Sequence, residues 1–190
     1  ISYYHGEGPL KDVFSETKEP RNVAIIGLGV GSCATYFKEG ESLTFYELDP
    51  YIEDIASDRF TYLDDCKANV TIVPGDARIQ LEQAPDHSYD IIMVDAFSSD
   101  AIPVHLLTRE AFDVYQKHLA RDANGTITGA LAIHTSNRYL ALNPVVIRLA
   151  HEFKMQAVIV DRFADDAFSS GWVDSTDWVL VTAHPQLLAH

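Results

Sequence analysis

The stretch Val23-Ala24-Ile25-Ile26-Gly27-Leu28-Gly29-Val30-Gly31-Ser32 decides the fold. Its first four residues form an unbroken apolar run, the pattern of a strand covered on both faces. The glycines that follow permit a tight turn and let a ligand come close to the backbone. Cys33 to Lys38 is expected to continue as a helix. Strand, glycine turn and helix in this order open an α/β sheet, although a turn of this kind also serves packing alone.

Working outward, runs of the same type recur at Leu43 to Tyr46, Val70 to Val73, Ile91 to Val94, Ala130 to His134, Ala157 to Val160 and Trp178 to Val181. Helices between them announce their starts. Asp49-Pro50 and Asn143-Pro144 each offer an N-cap acceptor followed by proline at the first helical position, where its missing N–H costs nothing. Val145, Val146, Leu149 and Ala150 then follow at helical spacing, and another helix is expected from Thr108 through Ala111, Phe112, Tyr115 and Leu119. Alternation of strand and helix from about residue 22 to about residue 160 implies an open, mostly parallel sheet flanked by helices with right-handed crossovers. Trp178 to Val181 follows Ala157 to Val160 without a helical pattern between, so the last strand is expected to be antiparallel. The polar segment Phe163 to Thr176, which includes Gly171 and Trp172, reads as an exposed loop placed to act as a lid.

A chain of 190 residues fits one domain, residues 1–190, with residues 1–20 as an N-terminal extension. Asp and Glu number 28 against 14 Lys and Arg, a net charge of −14. So acidic a surface repels phosphate backbones and anionic lipid, which argues against nucleic-acid and peripheral membrane partners. The acid either solvates the surface or lines a site for a cation. Two cysteines, Cys33 and Cys66, cannot make a disulfide framework and read as free thiols in a reducing compartment. No apolar run approaches the roughly 20 residues that span a bilayer, and the first residues lack a signal-peptide pattern. The expected location is therefore the cytoplasm, in a chain that begins with Ile and can be cut from something longer.

In an open α/β sheet, ligands bind beyond the carboxyl ends of the strands. Glu47 ends the second strand, about twenty residues beyond Gly27, where an acid can accept hydrogen bonds from both ribose hydroxyls of a nucleoside-containing ligand. Turn and acid together do not choose between a nicotinamide and an adenosyl-sulfonium ligand. Asp76, after the third strand, could accept from an adenine amine while the Ala77 N–H donates to a ring nitrogen; it would serve equally as the N-cap of a helix over Arg78 to Glu82. Asp95 and Asp100 follow the fourth strand, where they would attract a cationic substrate and take a proton from its ammonium group. His105 and His134 are placed to face the same cleft, and no pair among the eight histidines has metal-ligand spacing with a third ligand nearby, so no metal is expected. Neither a Gly-x-Ser-x-Gly elbow nor a phosphate-binding Gly-Lys-Ser/Thr turn is present.

Gly27-Leu28-Gly29-Val30-Gly31, Glu47-Leu48-Asp49-Pro50 and Gly75-Asp76-Ala77-Arg78 resemble the nucleoside-binding set of class I S-adenosylmethionine-dependent methyltransferases and, more closely, of spermidine synthases. Asp95-Ala96-Phe97-Ser98-Ser99-Asp100-Ala101-Ile102-Pro103 and His134-Thr135-Ser136-Asn137-Arg138-Tyr139-Leu140 look like the spermidine synthase-like domains that bacteria carry alone or fused to transporter segments. The resemblance implies a Rossmann-like, seven-stranded, mostly parallel sheet with an antiparallel last strand. It further implies aminopropyl transfer from decarboxylated S-adenosylmethionine to a diamine such as putrescine, without a metal, and allows a homodimer. On this reading Asp95 is the catalytic base. Gly27, Leu28, Gly29, Gly31, Glu47, Asp76, Ala77 and Asp95 hold the cofactor, and Tyr4 and Asp100 hold the amine. The sequence departs from the family pattern at Val30, where spermidine synthases carry an aspartate, and at Ala96 and Phe97, which lengthen the acid motif; the family's N-terminal β-hairpin region is expected to be absent or trimmed. The alternatives are methyl transfer from S-adenosylmethionine to a small acceptor, and a catalytically weak nucleoside-binding module.

Overall fold

A computed structural model describes residue 4, residues 9–15, 17, 19–97, 102–137, 139–162 and 176–184. All seven apolar runs are strands: β1 (Asn22–Ile26), β2 (Ser42–Glu47), β3 (Asn69–Pro74), β4 (Ile91–Val94), β5 (Ala130–His134), β6 (Gln156–Arg162) and β7 (Thr176–Thr182). They form one sheet in the order β3-β2-β1-β4-β5-β7-β6. The pairs from β3 through β5 are parallel. β7 is antiparallel to both β5 and β6 and lies between them, so the last strand has the expected direction.

The continuous apolar runs have a direct cause in packing. Ala24 and Ile26 of β1 and Ile92 and Val94 of β4 face one apolar cluster, whereas Val23 and Ile25, with Ile91 and Met93, face another. Helix α5 (Arg109–His118) covers the first face with Ala111, Phe112 and Tyr115, and α6 (Asn143–Glu152) adds Val146 and Ala150. The second face is covered by α1 (Pro9–Ser15), through Leu10, Val13 and Phe14, and by Ala56 of α2 (Pro50–Arg59). Two-sided burial leaves no position on these strands for an alternating polar residue. The short helices α3 (Tyr62–Asp65) and α4 (Ala77–Leu81) complete the layers.

Three helix expectations hold and two are corrected. Asp49 caps α2 by accepting from Tyr51 N–H, Thr108 caps α5 by accepting from Ala111 N–H, and Asp76 caps α4 by accepting from Ile79 N–H. The segment after the glycine turn is a five-residue 3-10 helix, Ser32–Tyr36, instead of an α-helix over Cys33 to Lys38. It ends early because Phe37 turns to extended backbone and sets its ring edge-on against Phe14, 5.2 Å between centroids. Asn143 is the first helical residue of α6 and not its cap; Leu142 takes that place, and Pro144 still falls among the N–H groups that no helix satisfies. The N-terminal extension contains α1, an element with no clear signal in the sequence, packed on the sheet. The proposed lid lies outside the described residues, except that Thr176 already belongs to β7.

β1 is the point where strand order reverses, with β2 on one side and β4 on the other. The crevice beyond the carboxyl ends of β1 and β4 is where such sheets place ligands.

Candidate functional site

Gly27 leaves β1 with φ +99°, a conformation that side chains rarely adopt, and a Cβ there would lie 2.6 Å from the Asp95 carbonyl oxygen. Glycine thus lets the ends of β1 and β4 close on each other, and Asp95 N–H donates to Ile26 O across that contact. Gly29, at φ +55°, has no atom within 4 Å of the point where a Cβ would stand, so its backbone opens onto space.

Beyond these strand ends lies a cavity of about 530 Å³, enough for a nucleoside-sized ligand. Of the residues expected to hold cofactor or amine, Tyr4, Gly27, Gly29, Glu47, Asp76, Ala77 and Asp95 line it. Leu28 and Gly31 do not. The Leu28 side chain is buried in the core, where it contributes packing, while its N–H donates to Glu47 Oε2 at 2.9 Å. Gly31 caps the 3-10 helix in the left-handed conformation, against the side chain of Leu63. Asp100 lies outside the described residues.

Glu47 is held by the chain at both oxygens, since Oε1 accepts from Asp49 N–H at 2.9 Å. A carboxylate has about four lone-pair sites, so each oxygen can still accept from a ligand. Asp76 spends Oδ1 on capping α4, and its Oδ2 lies 3.1 Å from His105 Nε2, so capping and cavity lining coexist in one side chain. His105 follows from the sequence reading as a cleft residue and does line the cavity.

Asp95 is well enclosed, its side chain 5% exposed. Tyr4 Oη donates to Oδ2 at 2.5 Å, and His134 Nδ1 lies 2.7 Å from Oδ1. Tyr4 is itself anchored, because the Tyr36 hydroxyl donates to its carbonyl at 3.2 Å; burial pushes the Tyr36 phenol up to about 12, which keeps that donor protonated. Beneath the site, burial raises the Cys33 thiol well above its ordinary value, and the charge of Asp95 adds to the effect. His134 does not line the cavity but stands behind Asp95. Its ring stacks on Trp178, centroids 4.5 Å apart with the planes 8° from parallel, and meets the edge of Phe97 at 4.8 Å. The register of β5 on β7 pairs His134 with Trp178, and this partnership depends on a strand order that sequence alone does not disclose.

The cavity wall carries four carboxylates, Glu47, Asp49, Asp76 and Asp95, and no lysine or arginine among the described residues. Among those residues no three His, Cys, Asp or Glu side chains are grouped to hold a metal ion. An arrangement of this kind attracts a cation, offers acceptors to hydroxyl and amine groups, and presents one carboxylate able to take a proton.

No protein-family model matches the chain. A polyamine aminopropyltransferase of Vibrio vulnificus (strain CMCP6) is 33% identical over 130 residues, 64% of this chain and 43% of that protein. By sequence, the chain is similar to polyamine aminopropyltransferases. It spans less than half the length of the relatives it matches in this way. Among solved structures, a spermidine synthase in complex with the transition state analogue AdoDATO superposes with a TM-score of 0.65 at 15% identity, over 91% of this chain and 58% of that one. Human methyltransferase-like protein 13 in complex with SAH gives 0.61 at 18% identity, over 96% and 82%. The fold is the class I methyltransferase fold that polyamine aminopropyltransferases and methyltransferases share. Among the described residues no helix is long and apolar enough to cross a membrane.

Proposed function

We propose that this chain transfers an aminopropyl group from decarboxylated S-adenosylmethionine to a diamine such as putrescine. The observation that carries the reading is the charge of the cavity: among the described residues, four carboxylates and no lysine or arginine. S-adenosylmethionine brings a carboxylate into that field, whereas its decarboxylated form brings only a sulfonium and an ammonium, and like charges close together cost free energy. Glu47 would accept from the ribose hydroxyls, Asp76 and the Ala77 N–H would read the adenine edge, and Gly27 and Gly29 would let the ligand lie against the backbone. The diamine's ammonium gives a proton to Asp95. The freed nitrogen lone pair then forms a bond to the aminopropyl carbon beside sulfur, the C–S bond breaks, and sulfur keeps its electron pair, leaving methylthioadenosine. Positioning and proton removal supply the acceleration. The free thiols Cys33 and Cys66 fit a reducing compartment such as the cytoplasm.

Calorimetry with decarboxylated S-adenosylmethionine, S-adenosylmethionine and methylthioadenosine tests the reading. Tighter binding of the decarboxylated form is expected. A preference for S-adenosylmethionine would favour methyl transfer, and binding without turnover would favour a nucleoside-binding module.

A further inference from the structure

The proton acceptor in this site has a built support. Asp95 faces the cavity, yet its side chain is almost buried, and a carboxylate taken out of water needs donors to remain charged. Tyr4 supplies one. The other is His134 Nδ1, and a carboxylate only accepts, so Nδ1 carries the proton. On the opposite side of the ring, His134 Nε2 lies 3.0 Å from Ser136 Oγ, and that oxygen already accepts from Asp177 N–H at 2.8 Å. The serine oxygen keeps a second lone pair, so its hydroxyl either donates to a bare Nε2 or accepts from a protonated one, and both arrangements leave a proton on Nδ1 beside Asp95. Trp178 against the face of the ring and Phe97 against its edge fix its plane. Phe97 is one of the two residues by which the acid motif is longer than that of spermidine synthases, so the departure has a physical use.

We propose that His134 is a positioning residue, held in the Nδ1–H tautomer by a hydrogen bond from Ser136, that aims the Asp95 carboxylate at the cavity to receive the proton of an ammonium substrate. The inference rests on the amine-transfer reading for its consequence in turnover but not for the tautomer. Besides Tyr4 and His134, the titratable group against Asp95 among the described residues is the Cys33 thiol. Across the cavity stand Glu47, Asp49, Asp76 and His105, which are unchanged in every variant below.

Two measurements on the whole chain test it. In 15N spectra above neutral pH, His134 Nδ1 should appear protonated and Nε2 bare; Nε2 protonated with Nδ1 bare overturns the proposal whether or not the chain turns over any amine. In turnover of decarboxylated S-adenosylmethionine and putrescine, His134→Phe should lower kcat by about 100-fold, the scale of a misplaced reacting group. It should also move the acidic limb of the pH–rate profile to higher pH, since a lost donor favours the neutral carboxyl. His134→Asn, whose amide N–H can take the place of Nδ1–H, should recover most of the rate and restore the limb. Methylthioadenosine affinity should be unchanged in both. Equal losses in the two variants with an unmoved limb would reduce His134 to a packing residue and overturn the proposal. No turnover in the unaltered chain would instead break the functional reading, with the nitrogen spectra still deciding the tautomer.

Discussion

Two buried acid–base pairs sit at opposite ends of the same sheet, and they differ in where their hydrogen bonds go. At the amino ends of β1 and β2, Arg21 and Glu41 meet with Nε to Oε1 at 2.5 Å and Nη2 to Oε2 at 3.1 Å, side chains 3% and 2% exposed. Every direction is filled. Arg21 Nη1 donates to Phe14 O, the guanidinium lies 5.3 and 5.4 Å from the ring centroids of Phe14 and Phe37, and Glu41 Oε2 accepts from Lys38 N–H. At the carboxyl ends of β4 and β5, Asp95 and His134 are just as enclosed, but the carboxylate also borders a cavity of about 530 Å³. Burial of a charge therefore does not mark a site. The mark is an ionisable group supported on one side and open to a cavity on the other.

The sharpest way to break that contrast is to remove one partner at each end. Glu41→Ala leaves a buried guanidinium without its carboxylate, and the folded state should lose about 3–5 kcal/mol. Chemical denaturation reads this; a loss below about 1 kcal/mol, the scale of an exposed pair, would mean that the lower pair is not structural. Asp95→Asn keeps the shape and should leave the unfolding midpoint nearly unmoved while lowering turnover by about 100-fold or more, the scale of a lost general base. Unchanged turnover would remove Asp95 from the chemistry.

A smaller effect separates binding from chemistry at the upper end. Glu47→Ala removes the acceptor of the Leu28 and Asp49 N–H groups together with the proposed ribose contacts. Methylthioadenosine affinity should fall by about 10- to 100-fold, the value of hydrogen bonds to a charged group. Unaltered affinity would refute the ribose assignment.

What could be read from the sequence follows the same division between ends and middle. Strands buried on both faces, β1, β4, β5 and β7, leave unbroken apolar runs, the more exposed β2, β3 and β6 show as β-rich apolar runs of similar length, and Glu47, Asp76 and Asp95 stood out as acids at the strands' carboxyl ends. Local geometry decided by distant packing was not visible: the glycine turn is followed by a 3-10 helix because Phe37 seeks Phe14, more than twenty residues earlier. Partnerships across the sheet were equally hidden. Asp95 and His134 are neighbours because β4 pairs with β5, and Trp178 reaches His134 because β7 inserts between β5 and β6. Arg21 and Glu41 gave no motif at all, each being one charged residue before an apolar run. The available signal was that placement, a single charge directly abutting a doubly buried strand.

The smallest expected effect is a pH dependence that belongs to the lower end. Burial alone would raise the Glu41 carboxyl, but the hydrogen bond from the Arg21 side chain, the Lys38 N–H and the Arg21 charge together bring it below its ordinary value. A depressed acid contributes stability in full above its unfolded value, about pH 4.3, and loses it as pH falls through the lower folded value. Asp90, at the amino end of β4, works the other way. Burial raises it, only partly offset by the Asn22 N–H, so its ionisation costs stability as pH rises through the folded value. On acidification the two acids oppose each other. Urea midpoints measured at neutral and mildly acidic pH should show that Glu41→Gln, although less stable at neutrality, loses less on acidification than the unaltered chain. Asp90→Asn, which keeps an oxygen for the Asn22 N–H, should lose more. Identical losses in all three proteins would mean that the closed end contributes nothing to the pH response, and that the division between a structural and a chemical pair has been drawn in the wrong place.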